Sequence, residues 1–296
     1  METLLIQANA KINLDLRILR KLPNGYHQIK STFQSIDLAD FLLFEKSKKD
    51  NLTGAIIYPS EAKAKRTAFS SSPSLLLRKS SVGKEERKFF DCPESQNIIF
   101  RAKNLLEKTI NKKLPCRIHL HKAIPIAAGL GGGSADAAAT IVALNEIYNL
   151  NLPRKELVKI GVEVGADIPF FFYGGTCKIG GIGEKVSKIE KTISNFFVLF
   201  RPHKRLETKE MYRLYDKTRK TFFELAKEIC PEIKKLERYL QKFPIKEFNL
   251  SGSGPTVFAG VNDYELAQKI TEGYQDFNGD IFICHPQNKA LDIIEL

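Results

Sequence analysis

From Ala8 to Ile18 apolar and polar residues alternate: Ala8, Ala10, Ile12, Leu14, Leu16 and Ile18 are separated by Asn9, Lys11, Asn13, Asp15 and Arg17. A period of two sends successive side chains to opposite faces, which predicts a half-buried β-strand. By itself, the polar edge Asn9-Lys11-Asn13 reads as a solvated strand face. Pro23-Asn24-Gly25 marks a turn, and STFQSIDL and FLLFE supply further strands. NIIFRAKNLLEKTIN (97–111) has the spacing of an amphipathic helix, and CRIHLHK (116–122) alternates as a strand. Helices are predicted over 135–148 and from Pro153 to about Gly165. Phe170-Phe171-Phe172-Tyr173 reads as a buried strand closed by Gly174-Gly175. Farther along, FFVLF is a strand, and 208–228 and 231–242 are helical. FNLSGSGPTVFAGV is strand, turn and strand, a helix spans about 263–274, and DIFIC is a final strand. Elements of both kinds mix without regular βαβ alternation, so the expected class is α+β in two lobes.

Composition narrows the picture only a little. The chain has 296 residues, 43% hydrophobic and 27% charged, an ordinary globular balance. No run approaches the roughly 18 apolar residues of a membrane span. METLLIQANAKINLDL lacks the marks of a signal or transit peptide, so the expected location is cytoplasmic, with no membrane partner. The five cysteines are widely spaced and never form C-x-x-C, which points to reduced thiols. His119 and His121 share one strand face without a third ligand, so a partly exposed face is favoured over a metal site.

The net charge of +12 raises the question of a nucleic-acid partner. Its location answers it. Residues 46–88 hold eleven Lys/Arg against four Asp/Glu, a net of +7 that leaves only +5 for the rest. That segment lacks the interleaved aromatics of a single-strand binding platform. A solvated, flexible basic insertion over 46–92 is the expectation, with no nucleic-acid partner.

The chemistry concentrates in PIAAGLGGGSAD (125–136), where four glycines fall within five positions ahead of a helix. A glycine turn running into a helix leaves backbone N–H groups at the positive end of the helix dipole, a cradle suited to phosphate. The stretch is not a Walker A loop, because Ser134 and Ala135 follow Gly133 where that motif needs lysine. It is not a dinucleotide fingerprint either, because Ser134 stands at its third glycine position. In GADIPFFF (165–172), Asp167 lies beside an apolar run, where a carboxylate is costly unless paired or working. SGSGPT (251–256) is a second glycine turn, which alone reads as a tight hairpin.

Taken in order, ANAKINLDL, NGYHQI, PIAAGLGGGSADAAAT, GADIPFF and SGSGPT resemble the motifs of the GHMP kinases, the family of galactokinase, homoserine kinase and mevalonate kinase. The resemblance implies a two-lobed fold. Its N-terminal ATP-binding lobe (1–155) resembles a ribosomal-protein fold, and its C-terminal lobe (156–296) is an α/β sandwich. It also implies transfer of the γ-phosphate of ATP, with Mg2+, to the hydroxyl of a small molecule, and a monomer or weak homodimer. Lys11 and Asp167 match the catalytic pair: the carboxylate accepts the hydroxyl proton, and the ammonium orients it and polarises the acceptor oxygen. Asn97, Lys122, Pro125, Ile126, Ala127, Ala128, Gly129, Leu130, Gly131, Gly132, Gly133, Ser134 and Ala135 match the nucleotide site. The family commonly has a second serine where this chain has Ala135, which leaves Ser134 for magnesium. Asn13, Gly252, Ser253 and Gly254 match the substrate side, as do Thr208 and the stacking aromatic Tyr212. Tyr26 and His27 match a cytidine-reading pair, which implies a cytidylated alcohol from an isoprenoid-precursor route. Two alternatives stand beside this: a kinase for homoserine or mevalonate, and a non-catalytic RNA-binding protein.

Overall fold

The alternation at the start of the chain belongs to β1 (Thr3–Lys21), which pairs antiparallel along its length with β2 (His27–Lys46). The computed structural model describes residues 2–56, 93–190, 194–274 and 277–294. STFQSIDL and FLLFE are one continuous strand rather than two. β3 (Asn51–Ile56) runs parallel to β4 (Cys116–Lys122), and β4 is antiparallel to β2. The expected insertion over 46–92 is therefore corrected at its start, where the backbone completes a sheet ladder. Residues 57–92 lie outside the described residues.

Among the described residues the first sheet has eight strands, in the order β12 (Leu291–Ile294), β1, β2, β4, β3, with three more attached through β2. These are β5 (Thr176–Gly180), β6 (Lys185–Lys188), which pairs with β5, and β11 (Pro286–Gln287). Its core is shared with α1 (Ile98–Ile110), α2 (Gly132–Ile147), α3 (Arg154–Val164) and α4 (Ile168–Phe171). The second sheet runs β10 (Gly279–Cys284), β7 (Phe196–Pro202), β9 (Val257–Val261), β8 (Glu247–Leu250). It packs with α5 (Thr208–Thr218), α6 (Phe222–Ile229), α7 (Pro231–Leu240) and α8 (Tyr264–Gly273). This is the expected α+β, two-lobed arrangement. The cores do not divide at residue 155: α3, α4, β5 and β6 complete the first lobe, and the chain returns to it as β11 and β12.

A third cluster joins the lobes. Ala10, Ile12, Leu14 and Ile36 of the first sheet meet Phe197, Leu199, Phe258 and Phe282 of the second. The middle of β1 is therefore buried on both faces, and Asn9, Lys11 and Asn13 are buried rather than solvated. Two further expectations change. Phe170-Phe171-Phe172-Tyr173 is not a strand: Ile168–Phe171 is a helical turn, with Pro169 in its first turn, where a missing N–H costs nothing. The helix over 208–228 is two, broken at Arg219 (φ 60°) and restarted by a reciprocal capping box between Thr221 and Glu224.

On the other face of the first sheet, His119 and His121 stand opposite Leu43 and Phe41, with ring centroids 4.7 Å apart. The Nδ1 atom of His121 is buried without a hydrogen-bond partner among the described residues. Burial, and secondarily His119, pulls the His121 imidazole down to about 4. The unfolded chain therefore binds this proton more readily than the folded one, and stability is lost as pH falls from about 6.5 towards 4. Between those values the midpoint of thermal unfolding should fall less steeply in His121→Leu than in the wild type; parallel profiles would contradict this.

Candidate active site

The polar face of β1 is buried because two loops distant in sequence close over it. The Lys11 N–H donates to the Leu130 carbonyl (2.9 Å), and the Asn13 N–H to the Ser251 hydroxyl (3.3 Å). That hydroxyl donates to the Gly129 carbonyl (2.8 Å), and the Thr256 N–H reaches Ala128 O (3.3 Å). Ser251 thus ties the 125–131 loop, β1 and the second glycine turn together; its place in SGSGPT was the only sequence signal for it. Thr208, at the start of α5, shares a hydroxyl–hydroxyl bond with Ser253 (2.8 Å).

Between these loops lies the ammonium of Lys11, 3% exposed. It donates to Asn13 Oδ1 (2.6 Å), stands 3.2 Å from Asp167 Oδ2, and sits over the Phe33 ring (4.5 Å). Phe33 is the register partner of Asn13 on β2. Asp167 flanks the first turn of α4, and its carboxylate is 34% exposed. A buried cation is thus paired with a carboxylate that faces outward, so a hydroxyl arriving at Asp167 also meets the field of Lys11. Gly252 lines the same spot: a Cβ there would fall 3.3 Å from Asn13 Oδ1 and 3.6 Å from Lys11 Nζ.

The 125–131 loop ends at Gly131, the N-cap of α2. Ala127, Gly129 and Gly131 take positive φ (54°, 77° and 72°) while Ala128 and Leu130 do not. Such alternation turns successive N–H groups towards one side as an anion-binding nest, here leading into a helix N-terminus. A side chain at Gly131 would meet Lys11 Cγ at 2.9 Å and Phe171 Cζ at 3.0 Å, so the loop packs against the aliphatic stem of Lys11. Ser134 and Gly133 are half-buried in the first turn of α2, and the Ser134 hydroxyl makes no hydrogen bond to the described residues.

Asn97 and Lys122 are placed in other company. The Asn97 side chain caps α1 by accepting from Ile99 N–H (2.9 Å). The ammonium of Lys122 is buried between Asp40 and Asp136, 2.8 Å from Asp136 Oδ2. Asp40 also accepts from the N–H groups of Ala123 (2.7 Å) and Ile124 (2.8 Å) at the entrance to the loop. Burial opposes the charge on Lys122, but Asp136 and Asp40 outweigh it and hold the ammonium above the ordinary lysine range. The cluster anchors the strand before the loop to the helix after it. Two of the three ammonium donors of Lys122 are taken by these carboxylates, and Nζ lies 2.8 Å from where a Cβ on Gly132 would stand, so the side chain abuts the glycine loop.

At the far end of β1 the ring of His27 stacks on Tyr212 (centroids 4.7 Å, 20° between planes) and meets the edge of Tyr215 (6.1 Å, 89°). His27 Nε2 lies 2.7 Å from Asp216 Oδ1. Tyr26, beside it in the turn, is 58% exposed. Burial, assisted by the negative charge of Asp167, raises the Tyr212 phenol to about 12. Tyr212 therefore stands within the electrostatic reach of Asp167. Asp216 escaped the sequence reading, although it lies four residues after Tyr212, on the same helix face.

No described helix is long and apolar enough to cross a membrane. The GHMP kinases N terminal domain matches residues 97–175, and the GHMP kinases C terminal domain matches 206–279. A 4-diphosphocytidyl-2-C-methyl-D-erythritol kinase from Caldanaerobacter subterraneus subsp. tengcongensis is 36% identical over 319 residues, covering 98% of this chain and 99% of the relative. One from Clostridium botulinum is 32% identical over 305 residues, covering 94% and 98%. Among solved structures, a 4-(cytidine 5'-diphospho)-2C-methyl-D-erythritol kinase superposes with a TM-score of 0.68 at 23% identity, covering 97% of this chain and 99% of that one. A homoserine kinase from Cytophaga hutchinsonii superposes at 0.70 with 16% identity, covering 99% and 98%. At such identities the superpositions speak for the fold alone.

Proposed function

The chain belongs to the GHMP kinases, in the branch of the 4-diphosphocytidyl-2-C-methyl-D-erythritol kinases, and from that premise we infer how its residues carry the reaction. It is a kinase that uses ATP to phosphorylate 4-diphosphocytidyl-2-C-methyl-D-erythritol in the non-mevalonate route to isoprenoids. The acceptor is the tertiary 2-hydroxyl, a very weak acid. Asp167 takes its proton as the oxygen attacks the γ-phosphorus and the bond to the leaving ADP oxygen breaks. Lys11 steadies the developing negative charge and orients the carboxylate. The Lys11–Asp167 pair at 3.2 Å beside the nest is the observation that carries this assignment.

The backbone of 125–135 holds the phosphates, and the substrate lies across Asn13, Thr208 and the turn 252–254. Tyr26, His27 and Tyr212 receive the cytosine. Mg2+ fits here with a small protein donor set, since it keeps waters and phosphate oxygens as ligands; the unbonded Ser134 hydroxyl would hold it, and the ion would neutralise phosphate charge. We place the lobe division at the exit into β7, with β11 and β12 returning to the first lobe. The enzyme works in the cytoplasm as a monomer or weak homodimer, without nucleic acid.

A turnover assay compares the cytidylated methylerythritol with homoserine and mevalonate. Phosphorylation of the first at least about 100-fold faster is expected, since a site built for a polar base leaves its own groups unpaired with the smaller alcohols. Comparable rates on all three would overturn the substrate assignment.

A further inference from the structure

Asp216 performs no step in the reaction above, yet three basic side chains converge on it. His27 Nε2 is 2.7 Å from its Oδ1, and the Lys21 ammonium is 2.5 Å from its Oδ2. Arg219 stands 4.0 Å away, and Tyr215, one residue before Asp216, presents its ring edge to His27. Lys21 and His27 are register partners at the turn end of the β1–β2 hairpin, so one carboxylate on α5 of the second lobe grips both strands of the first. Tyr215 reinforces the contact by donating its hydroxyl to Ile18 O (3.3 Å). Stacking on Tyr212 sets the plane of the imidazole, and Asp216 sets its rotation within that plane.

Hydrogen bonds from Lys21 and His27 hold the Asp216 carboxyl below the usual carboxylate range. An ionised carboxylate only accepts, so the imidazole nitrogen facing it must carry a proton. A neutral ring that donates from Nε2 offers Nδ1 as an acceptor. Nδ1 makes no hydrogen bond with the described residues, and 5% of the His27 side chain remains exposed.

We propose that Asp216 is a specificity-determining positioning residue: by fixing the proton on Nε2 of His27, it leaves Nδ1 to accept from the exocyclic amino group of cytosine and to reject the carbonyl oxygen that uracil carries at that position. The inference rests on the cytidine-bearing substrate of the reading above. An acceptor facing an acceptor leaves both unpaired and desolvated, which is where hydrogen-bonding sites obtain their largest discrimination.

The test compares wild type, D216N and D216E on the cytidine-diphosphate substrate and its uridine analogue, together with the 15N shifts of the His27 ring, assigned against His27→Gln. In D216N, Lys21 claims the amide oxygen and turns the NH2 towards Nε2, which moves the ring proton to Nδ1. The preference for cytidine over uridine should then fall by roughly 10- to 100-fold, mostly through KM for the cytidine substrate. D216E should retain the Nε2–H form and most of the preference. A wild-type ring protonated at Nδ1 overturns the inference whether or not D216N folds, as does a folded D216N with an unaltered cytidine-to-uridine ratio. Wild type inactive on the cytidine substrate would sink the functional reading and this selection with it. Wild type active on both bases alike would sink the selection alone.

Discussion

Asp167→Asn is expected to lower kcat by about two to four orders of magnitude, the usual span for loss of a positioned general base. The replacement keeps the shape of the side chain and an oxygen that can still accept from Lys11, while removing the ability to take up a proton. The Lys11 ammonium, 3% exposed, would then rest on neutral acceptors alone, Asn13 Oδ1 and the oxygen of the new amide. A buried charge without a counter-ion costs stability. The loss should be about 1–3 kcal/mol, less than for a fully buried pair because Asp167 is partly solvated. ATP binding should persist, because the nest proposed to hold the phosphates is made of backbone. Single-turnover phosphoryl transfer, nucleotide titration and thermal unfolding separate these effects. A variant that turns over at close to the wild-type rate would remove Asp167 from the role of base.

Gly129→Ala should damage the protein before it reaches the chemistry. At φ 77° a Cβ on residue 129 would fall 2.3 Å from the Ser251 carbonyl oxygen and 3.0 Å from that of Gly254. Both obstacles are backbone, so neither can rotate away. Left-handed strain of about 1–2 kcal/mol adds to about 1–3 kcal/mol for overpacking. The two glycine turns must then part, which breaks the Ser251 hydroxyl bond to the Gly129 carbonyl and disturbs the loop that faces Lys11. We expect the unfolding midpoint to drop by roughly 5–15 °C and KM for ATP to rise at least about ten-fold. Gly133→Ala is the internal control for the stability effect, since its Cβ would meet only Ile98 Cγ2, at an ordinary 3.6 Å. Equal effects at both positions would mean that glycine content matters to the loop and the contact with Ser251 does not.

Much of this was open to reading along the chain. The period of two in β1, the glycines ahead of α2, and the isolated Asp167 between a helix end and an aromatic run are local patterns with local physical causes. The capping box at Thr221 and Glu224 was equally local, and it would have divided α5 from α6. Helical and extended apolar runs of four residues look alike, so the turn at Ile168–Phe171 depended on Pro169 and on its packing with Phe33.

Which residues bend, which alternate and which carry charge is set locally along the chain, because those properties depend on a residue and its neighbours a few positions away. Tertiary packing is what buries Lys11, brings it to 3.2 Å from Asp167, and lets Ser251 join two glycine turns over it. It also decided that Asp216 grips both strands of a hairpin, at its turn end, nearly 200 residues earlier. Burial and the partner of a charge depend on what covers a side chain, and here the covering groups come from loops more than a hundred positions away.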